Sequence, residues 1–328
     1  MEADIFIKTI GHKPILENNG GLDMTCFHPL KAYRLLTERT EKGKSVIVFN
    51  RKEIKNRVYE PIKVKCNQCM GCRVAKSREW AVRCVHESEM HDENCFITLT
   101  FNEKNIEDYQ SLDKKDFQLF MKRLRKKYTG KKIRYFHCGE YGDKLKRPHH
   151  HACIFGLDFE DKILWQVREG NRLYRSETLE KLWPFGYSLI GDVTFQSAAY
   201  VARYITKKIN GERKEAHYKR VNKTTGEQFV VIPEYITMSK NPGIGKDWFN
   251  KFGEDVYPKD FLTLGGKKFR SPKYYDDLYD RVEPEKLQKI KKRRKEHMQK
   301  RKNDNTTSRL RVKETILNSR LKKQIRSI

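Results

Sequence analysis

From residue 95 onward, the alternation of apolar and polar positions marks out a series of elements. Cys95-Phe96-Ile97-Thr98-Leu99-Thr100-Phe101 is rich in β-branched and aromatic residues and predicts a strand. Between Ser111 and Tyr128, the apolar residues Leu112, Phe117, Phe120, Met121 and Leu124 recur at helical spacing, and Gly130 stops the run. Ile133 to Glu140 predicts a second strand, Tyr141 to Pro148 a turn, and His149 to Gly156 a third strand. Next come a helix near Glu177 to Leu182, a strand near Tyr187 to Phe195, and a helix opened by Ser197 as N-cap and closed around Gly211. Strand, helix, hairpin, helix, strand, helix predicts an α+β fold, an antiparallel central sheet with flanking helices.

Outside this stretch the pattern weakens. Residues 1–85 are Cys-containing, loop-rich and weakly periodic, and 86–210 form the expected core. Residues 211–283 read as a basic extension packed on or following that core, and 284–328 as a Lys/Arg-rich tail, helical or disordered. No internal repeat is present. The segment Lys286-Leu287-Gln288-Lys289-Ile290-Lys291-Lys292-Arg293-Arg294-Lys295 permits a helix but offers few apolar positions. Solvation is its simplest reading and polyanion contact its functional one.

Charge changes the picture. The 328 residues carry 70 Lys plus Arg against 43 Asp plus Glu, a net +27 that draws polyanions. No basic amphipathic segment with large apolar anchors stands out, and no apolar run is long enough for a bilayer, so nucleic acid is the expected partner rather than membrane. The first residues lack the basic region and apolar stretch of a secretory signal, so no export is expected. The eight cysteines then read as reduced thiols or metal ligands.

Two constellations carry candidate chemistry, and a third reads as structural. In Arg147-Pro148-His149-His150-His151, strand parity points His149 and His151 one way and His150 the other. A lone histidine is most simply a satisfied core residue, but two imidazoles on one face can ligate one divalent ion, and the apolar Ala152-Cys153-Ile154-Phe155 fixes their direction. Glu140 ends the preceding strand, and the turn returns it towards His149, although it could instead pair Lys144 or Arg147. A carboxylate with two histidines suits Mg²⁺ or Mn²⁺ acting as a Lewis acid on a phosphate. In Tyr200-Val201-Ala202-Arg203-Tyr204-Ile205-Thr206-Lys207-Lys208, the side chains of Tyr200, Tyr204 and Lys207 share a helix face. Such a stripe is more often core packing. The lysine on the same face argues against simple burial, and a tyrosine oxygen beside an ammonium and a metal-bound phosphate can act as a nucleophile. Cys66, Cys69 and Cys72 form overlapping Cys-x2-Cys steps, a zinc knuckle by spacing. Cys26 or Cys84 would supply the fourth ligand, with His28 and His86 as weaker candidates.

Taken in order, the Cys95–Phe101 strand, Gly139-Glu140-Tyr141-Gly142 with Arg147 to Gly156, and Tyr200 to Lys208 resemble the three motifs of HUH endonucleases. The chain most resembles the replication initiators of gokushoviruses, small single-stranded DNA phages of the Microviridae. Cys26-Phe27-His28-Pro29, the knuckle and Arg78-Glu79-Trp80-Ala81-Val82-Arg83-Cys84 share that likeness, which runs from about Cys26 to Lys208 and leaves out the tail. The resemblance implies an HUH, RRM-like nuclease fold with a zinc-knuckle N-terminal region, acting in the host cell cytoplasm in rolling-circle replication. A tyrosine attacks the origin phosphate in single-stranded DNA, stays on the 5′ end and leaves a 3′-OH for host polymerase; a host helicase is a further implied partner, and a membrane is not. His149 and His151 become metal ligands, Tyr200 and Tyr204 nucleophiles, and Lys207 positions or neutralises the phosphate. Tyr204, with its lysine one turn away, is expected to start. One departure stands out: the central HUH position, usually bulky and hydrophobic, is His150, expected to face away from the chemistry. A plasmid or transposon HUH strand transferase would share these motifs. A non-catalytic, zinc-stapled nucleic-acid binder explains the charge and cysteines but not the ordered motifs, and a DNA-packaging protein only the tail.

Overall fold

The computed structural model describes residues 26–326 apart from 42, 107–110, 143–144, 169, 208–212 and 223–224, with backbone alone at 204–207, 213–214 and 322–326. The N-terminal part is more regular than its sequence suggests. Strands β1 (Leu30–Arg39), β2 (Ser45–Val48) and β3 (Tyr59–Val64) form an antiparallel sheet in the order β2-β1-β3. Helix α1 (Met70–Ser88) follows, running through residues 85 and 86 into the core. Its helical period is masked because the buried face carries polar residues, each with a partner. Ser77 donates to the Ala199 carbonyl at 2.9 Å, His86 Nδ1 meets the Tyr275 hydroxyl at 3.0 Å, and Glu87 pairs with Arg134 at 2.5 Å.

The central sheet is built from β4 (Asn94–Thr100), β5 (Arg134–Tyr141), β6 (Pro148–Phe155), β7 (Ile163–Arg168), β8 (Asn171–Arg175) and β9 (Ser188–Gly191). Beyond a small hairpin, β10 (Lys219–Val221) and β11 (Gln228–Val230), strand β12 (Tyr235–Met238) completes it. The seven strands lie in the order β12-β5-β6-β4-β9-β8-β7, and every registered pair is antiparallel. The expected α+β arrangement of an antiparallel sheet with flanking helices is therefore present. Its outer strands β7, β8 and β12 were not expected; the chain from Ile163 to Arg175 is exposed enough on both faces that neither reads as a buried stripe.

Strand parity sends side chains to two cores. Cys95, Ile97 and Leu99 join Ala152 and Ile154 under α2 (Lys114–Lys127) and α3 (Glu177–Leu182), through Phe117, Phe120, Leu124, Leu179 and the nearby Trp183. Phe96, Phe136, Cys138, Cys153 and Phe155 face the other way, against α1 and α4 (Phe195–Lys207). Leu112 lies outside α2, which begins after Asp113, whose carboxylate accepts from the Lys115 amide at 2.9 Å; Leu112 packs instead with Tyr141, Tyr218 and Val231. Helix α4 likewise starts earlier than expected. Thr194, not Ser197, is the cap: its hydroxyl accepts from the Ser197 amide at 3.1 Å while Ser197 Oγ accepts from the Thr194 amide at 2.8 Å. This reciprocal pair ends the preceding strand at Gly191 rather than Phe195. The expected end of the helix, around Gly211, lies outside the described residues.

After α5 (Arg213–Tyr218) and β12, a third cluster joins Val82 of α1 to α6 (Lys246–Val256), the hairpin β13 (Leu262–Leu264) and β14 (Lys267–Phe269), α7 (Lys273–Val282) and α8 (Pro284–Lys300). Leu287 and Ile290 of α8 are buried in it, and Arg294 pairs with Asp260 and with Asp276. The final helix, α9 (Thr307–Arg326), returns to the N-terminal region, where Leu317 packs on the cysteine knuckle.

Candidate active site

The hairpin β5–β6 places the acidic residue and the histidines by register. Glu140 lies opposite His149, Gly139 opposite His150 and Cys138 opposite His151; across the other edge of β6, Thr98 lies opposite His151 and Thr100 opposite His149. His149 and His151 therefore project together with Glu140, on the face covered by α4, with their rings parallel and centroids 6.3 Å apart. Gly142 allows this packing, since a Cβ there would stand 3.0 Å from the His149 ring. The Gly142 amide donates to the Arg147 carbonyl at 2.9 Å and closes the hairpin. Arg147 in turn donates to the Phe101 carbonyl at 3.0 Å and pairs with Glu103, tying the turn to the end of β4.

A buried polar chain runs through the face. Thr98 Oγ1 is 3.0 Å from His151 Nδ1, and His151 Nε2 is 2.7 Å from Glu140 Oε1. The same carboxylate oxygen accepts the Tyr200 hydroxyl at 2.9 Å. Tyr200 also stands edge-on to the His151 ring, with centroids 5.0 Å apart, and the Arg203 guanidinium lies 6.0 Å from the Tyr200 ring. Helix α4 thus delivers a phenol to the carboxylate, packed there by its small neighbours Ala198, Ala199 and Ala202. Sequence reasoning missed Thr98; its signal is its place on β4, a hydroxyl with the same parity as Phe96 and opposite His151.

His149 is turned otherwise. Its Nδ1 lies 2.7 Å from the Arg147 carbonyl, an acceptor that fixes Nδ1 as the protonated nitrogen and leaves the Nε2 lone pair for a ligand. Burial pushes its pKa down to about 4, so at neutral pH it is an uncharged imidazole. Two such imidazoles with a carboxylate have the donor chemistry a Mg²⁺ or Mn²⁺ site uses. In the arrangement described here, Glu140 is hydrogen-bonded to His151 and Tyr200, while His149 engages the turn. Tyr204 lies one turn beyond Tyr200 and Lys207 ends α4, but both side chains lie outside the described residues, as does Lys208.

His150 points to the opposite face. It is fully buried, its Nδ1 is 3.1 Å from His137 Nε2, and its ring meets Phe101, Phe117 and Trp183. His137 stacks on Phe117 at 3.5 Å and reaches Thr237 Oγ1 at 2.8 Å.

The cysteine knuckle is a second centre. Cys26, Cys66, Cys69 and Cys72 bring their sulfurs within 4.8 Å of one another, the one such convergence of three or more candidate ligands among the described residues. The Cys26–Cys66 and Cys26–Cys69 separations are 3.6 and 4.0 Å, near the ~3.8 Å between thiolates at tetrahedral Zn–S distances. Backbone amides of Cys66, Cys69 and Phe27 donate to these sulfurs at 3.3 Å. Burial raises the Cys66 pKa, but the amides of Cys69 and Gln68 outweigh it and bring it down to about 7, favouring a thiolate. This cluster could hold a structural metal such as zinc, with Cys26 as the fourth ligand. Cys84 is buried in the core beside Cys153, His28 pairs with Glu314 at 2.7 Å, and His86 stacks on Trp248, so none of the other candidates reaches it.

A family model described as a replication-associated protein of the ORF2 type matches residues 94–209, from β4 to just past α4. The chain is 34% identical over 273 residues to the replication-associated protein VP4 of Bdellovibrio phage phiMH2K, covering 80% of this chain and 79% of that one. It is 31% identical over 279 residues to the replication-associated protein ORF2 of Spiroplasma virus 4, covering 79% and 81%. Over 225 residues it is 29% identical to the replication-associated protein ORF4 of Chlamydia phage 1, covering 65% and 52%. No solved structure matches. Among the described residues, no helix is long and apolar enough to cross a membrane.

Proposed function

Because the chain belongs to the replication-associated proteins of Microviridae-like phages, we propose that it starts their replication as an HUH endonuclease, nicking and rejoining single-stranded origin DNA through a phosphotyrosine. The observation that carries this reading is the hydrogen bond from the Tyr200 hydroxyl to Glu140, on the face of the sheet that also holds His149 and His151. A core tyrosine has no need of a carboxylate that also bonds a histidine.

His149, His151 and Glu140 would hold one Mg²⁺ or Mn²⁺, with Thr98 and the Arg147 carbonyl orienting the two imidazoles through their Nδ1 atoms. The bound ion supplies Lewis-acid activation of the scissile phosphate. Tyr200 Oη attacks phosphorus while its proton passes to Glu140 Oε1, which already accepts it. A P–O bond to the tyrosine forms as the P–O3′ bond breaks, and O3′ takes up a proton to leave a free 3′-OH that host polymerase, with host helicase, can use. Attack by a 3′-OH on the phosphotyrosine reverses the exchange, closes the circle and returns the proton to the tyrosine. Tyr204, one turn on, would serve the second transfer, with Lys207 against the phosphate. The cysteine cluster would hold structural zinc, and the reaction would take place in the host cytoplasm.

Incubating the protein with labelled single-stranded origin DNA and Mn²⁺ tests this directly. A DNA–protein adduct that survives denaturation is expected, and it should be lost in the Tyr200→Phe, Tyr204→Phe double variant. An adduct that persists in the double variant overturns the nucleophile assignment. No adduct with any origin segment or divalent metal favours a non-catalytic, zinc-stapled binder instead.

A further inference from the structure

At one edge of the central sheet, β7 and β8 form a two-stranded ribbon that the proposed chemistry does not use. Edge strands ordinarily carry charge or cover to prevent pairing, but β7 exposes Ile163 (75%), Leu164 (51%), Trp165 (39%) and Val167 (57%). A run of this kind marks a surface that meets something else. Trp165 is the one exposed tryptophan of the chain's four: Trp183 is fully buried, and Trp80 and Trp248 are half-buried. Arginines are interleaved with the apolar residues. Val167 lies opposite Arg172, Arg168 opposite Asn171, and Ile163 opposite Arg175. Arg175 is held by Glu180 at 2.7 Å, whereas Arg168 and Arg172 enter no ion pair among the described residues.

We propose that this ribbon is a docking surface for the single-stranded DNA beside the nicking site, with bases stacked on Trp165 and phosphates met by Arg168 and Arg172. The inference rests on the reading of DNA as substrate. Charge chooses the occupant: a second copy would set the same arginines and the same net +27 against themselves, whereas a polyanion complements both. An exposed aromatic among cations is the combination that binds single strands without reading sequence. Position fits as well. The ribbon continues the sheet that holds the histidines, and β7 lies four strand spacings from β6, about 19 Å across the sheet.

Binding is measured on the full chain carrying Tyr200→Phe, in chelator, with a fluorescent oligonucleotide, so that no strand transfer contributes to the signal. Trp165→Ala should weaken binding about tenfold, the scale of one lost base–aromatic stack. Arg168→Ala with Arg172→Ala should flatten the dependence of log affinity on log salt by about 1.4, at ~0.7 per phosphate contact on a single strand. DNA-dependent quenching of tryptophan fluorescence should largely vanish in Trp165→Phe. Unchanged affinity and salt slope in these variants would overturn the proposal, as would a larger loss for duplex than for single strands, or variants that alter only the oligomeric state. Failure of adduct formation in the wild-type chain would sink the nicking reaction and leave this binding result standing.

Discussion

Two pairs of histidines lie back to back across the β5–β6 hairpin. On one face, His149 and His151 stand with Glu140, Thr98 and the Tyr200 hydroxyl. On the other, His150 and His137 bond each other at 3.1 Å beneath Phe117 and Trp183. Both pairs are largely withdrawn from water, and burial lowers the pKa of His149, His150 and His137 alike. They differ in company. A carboxylate and a phenol meet the first pair, so there a neutral imidazole can serve as a ligand. Aromatic rings close over the second, where the only remaining use is structural. Residue type and burial do not separate a catalytic histidine from a core one, but the opposite charge and the nucleophile within reach do.

The largest break in that symmetry should come from His151. His151→Ala is expected to lower metal-dependent adduct formation about a thousandfold or more, while His150→Phe costs about 1–2 kcal/mol of stability and leaves adduct formation nearly intact. Adduct yield and melting of the two variants, side by side, read this out. Equal loss of activity would mean the faces are not functionally distinct.

The next effect concerns the other metal centre. Cys66→Ser should reduce bound zinc from about one per chain to near none. Because Leu317 of α9 packs on the knuckle, limited proteolysis should then cut the C-terminal helix earlier than in wild type. Unchanged zinc content would remove Cys66 from the ligand set. Smaller still, Thr98→Val keeps the strand but takes the hydroxyl from His151 Nδ1, and should weaken Mn²⁺ affinity about 10–100-fold by calorimetry.

The smallest effect belongs to the sealed face. Burial, with His150 and His151 nearby, holds His137 well below its ordinary value, so the folded chain keeps it neutral where the unfolded chain binds a proton below about pH 6.5. Its share of stability is present above that pH and is lost as pH falls, by up to about 1.4 kcal/mol per unit. Melting curves between about pH 6.5 and 4.5 should therefore be less pH-sensitive in His137→Phe than in wild type.

Much of this could be read from local pattern. Strand period separates His149 and His151 from His150, and the three thiols of the knuckle are visible in their spacing. What was not legible depends on contacts far apart in sequence. Tyr200 reaches Glu140 across 60 residues, and Cys26 reaches Cys66 across 40. Helix α1 escaped because Ser77, His86 and Glu87 are polar residues buried with partners, which erases a hydrophobic stripe. Strand β12 escaped because its four residues are all half-buried at an edge, where alternation is weakest.

The central claim is that Tyr200, at Glu140, is the residue that takes the DNA. Digesting the denatured adduct with protease and nuclease and sequencing the peptides by mass spectrometry tests it most directly. The account predicts a nucleotide phosphate on Tyr200 in a single-turnover reaction, absent from Tyr200→Phe. A first adduct carried on Tyr204 alone, or on any residue outside α4, would contradict it.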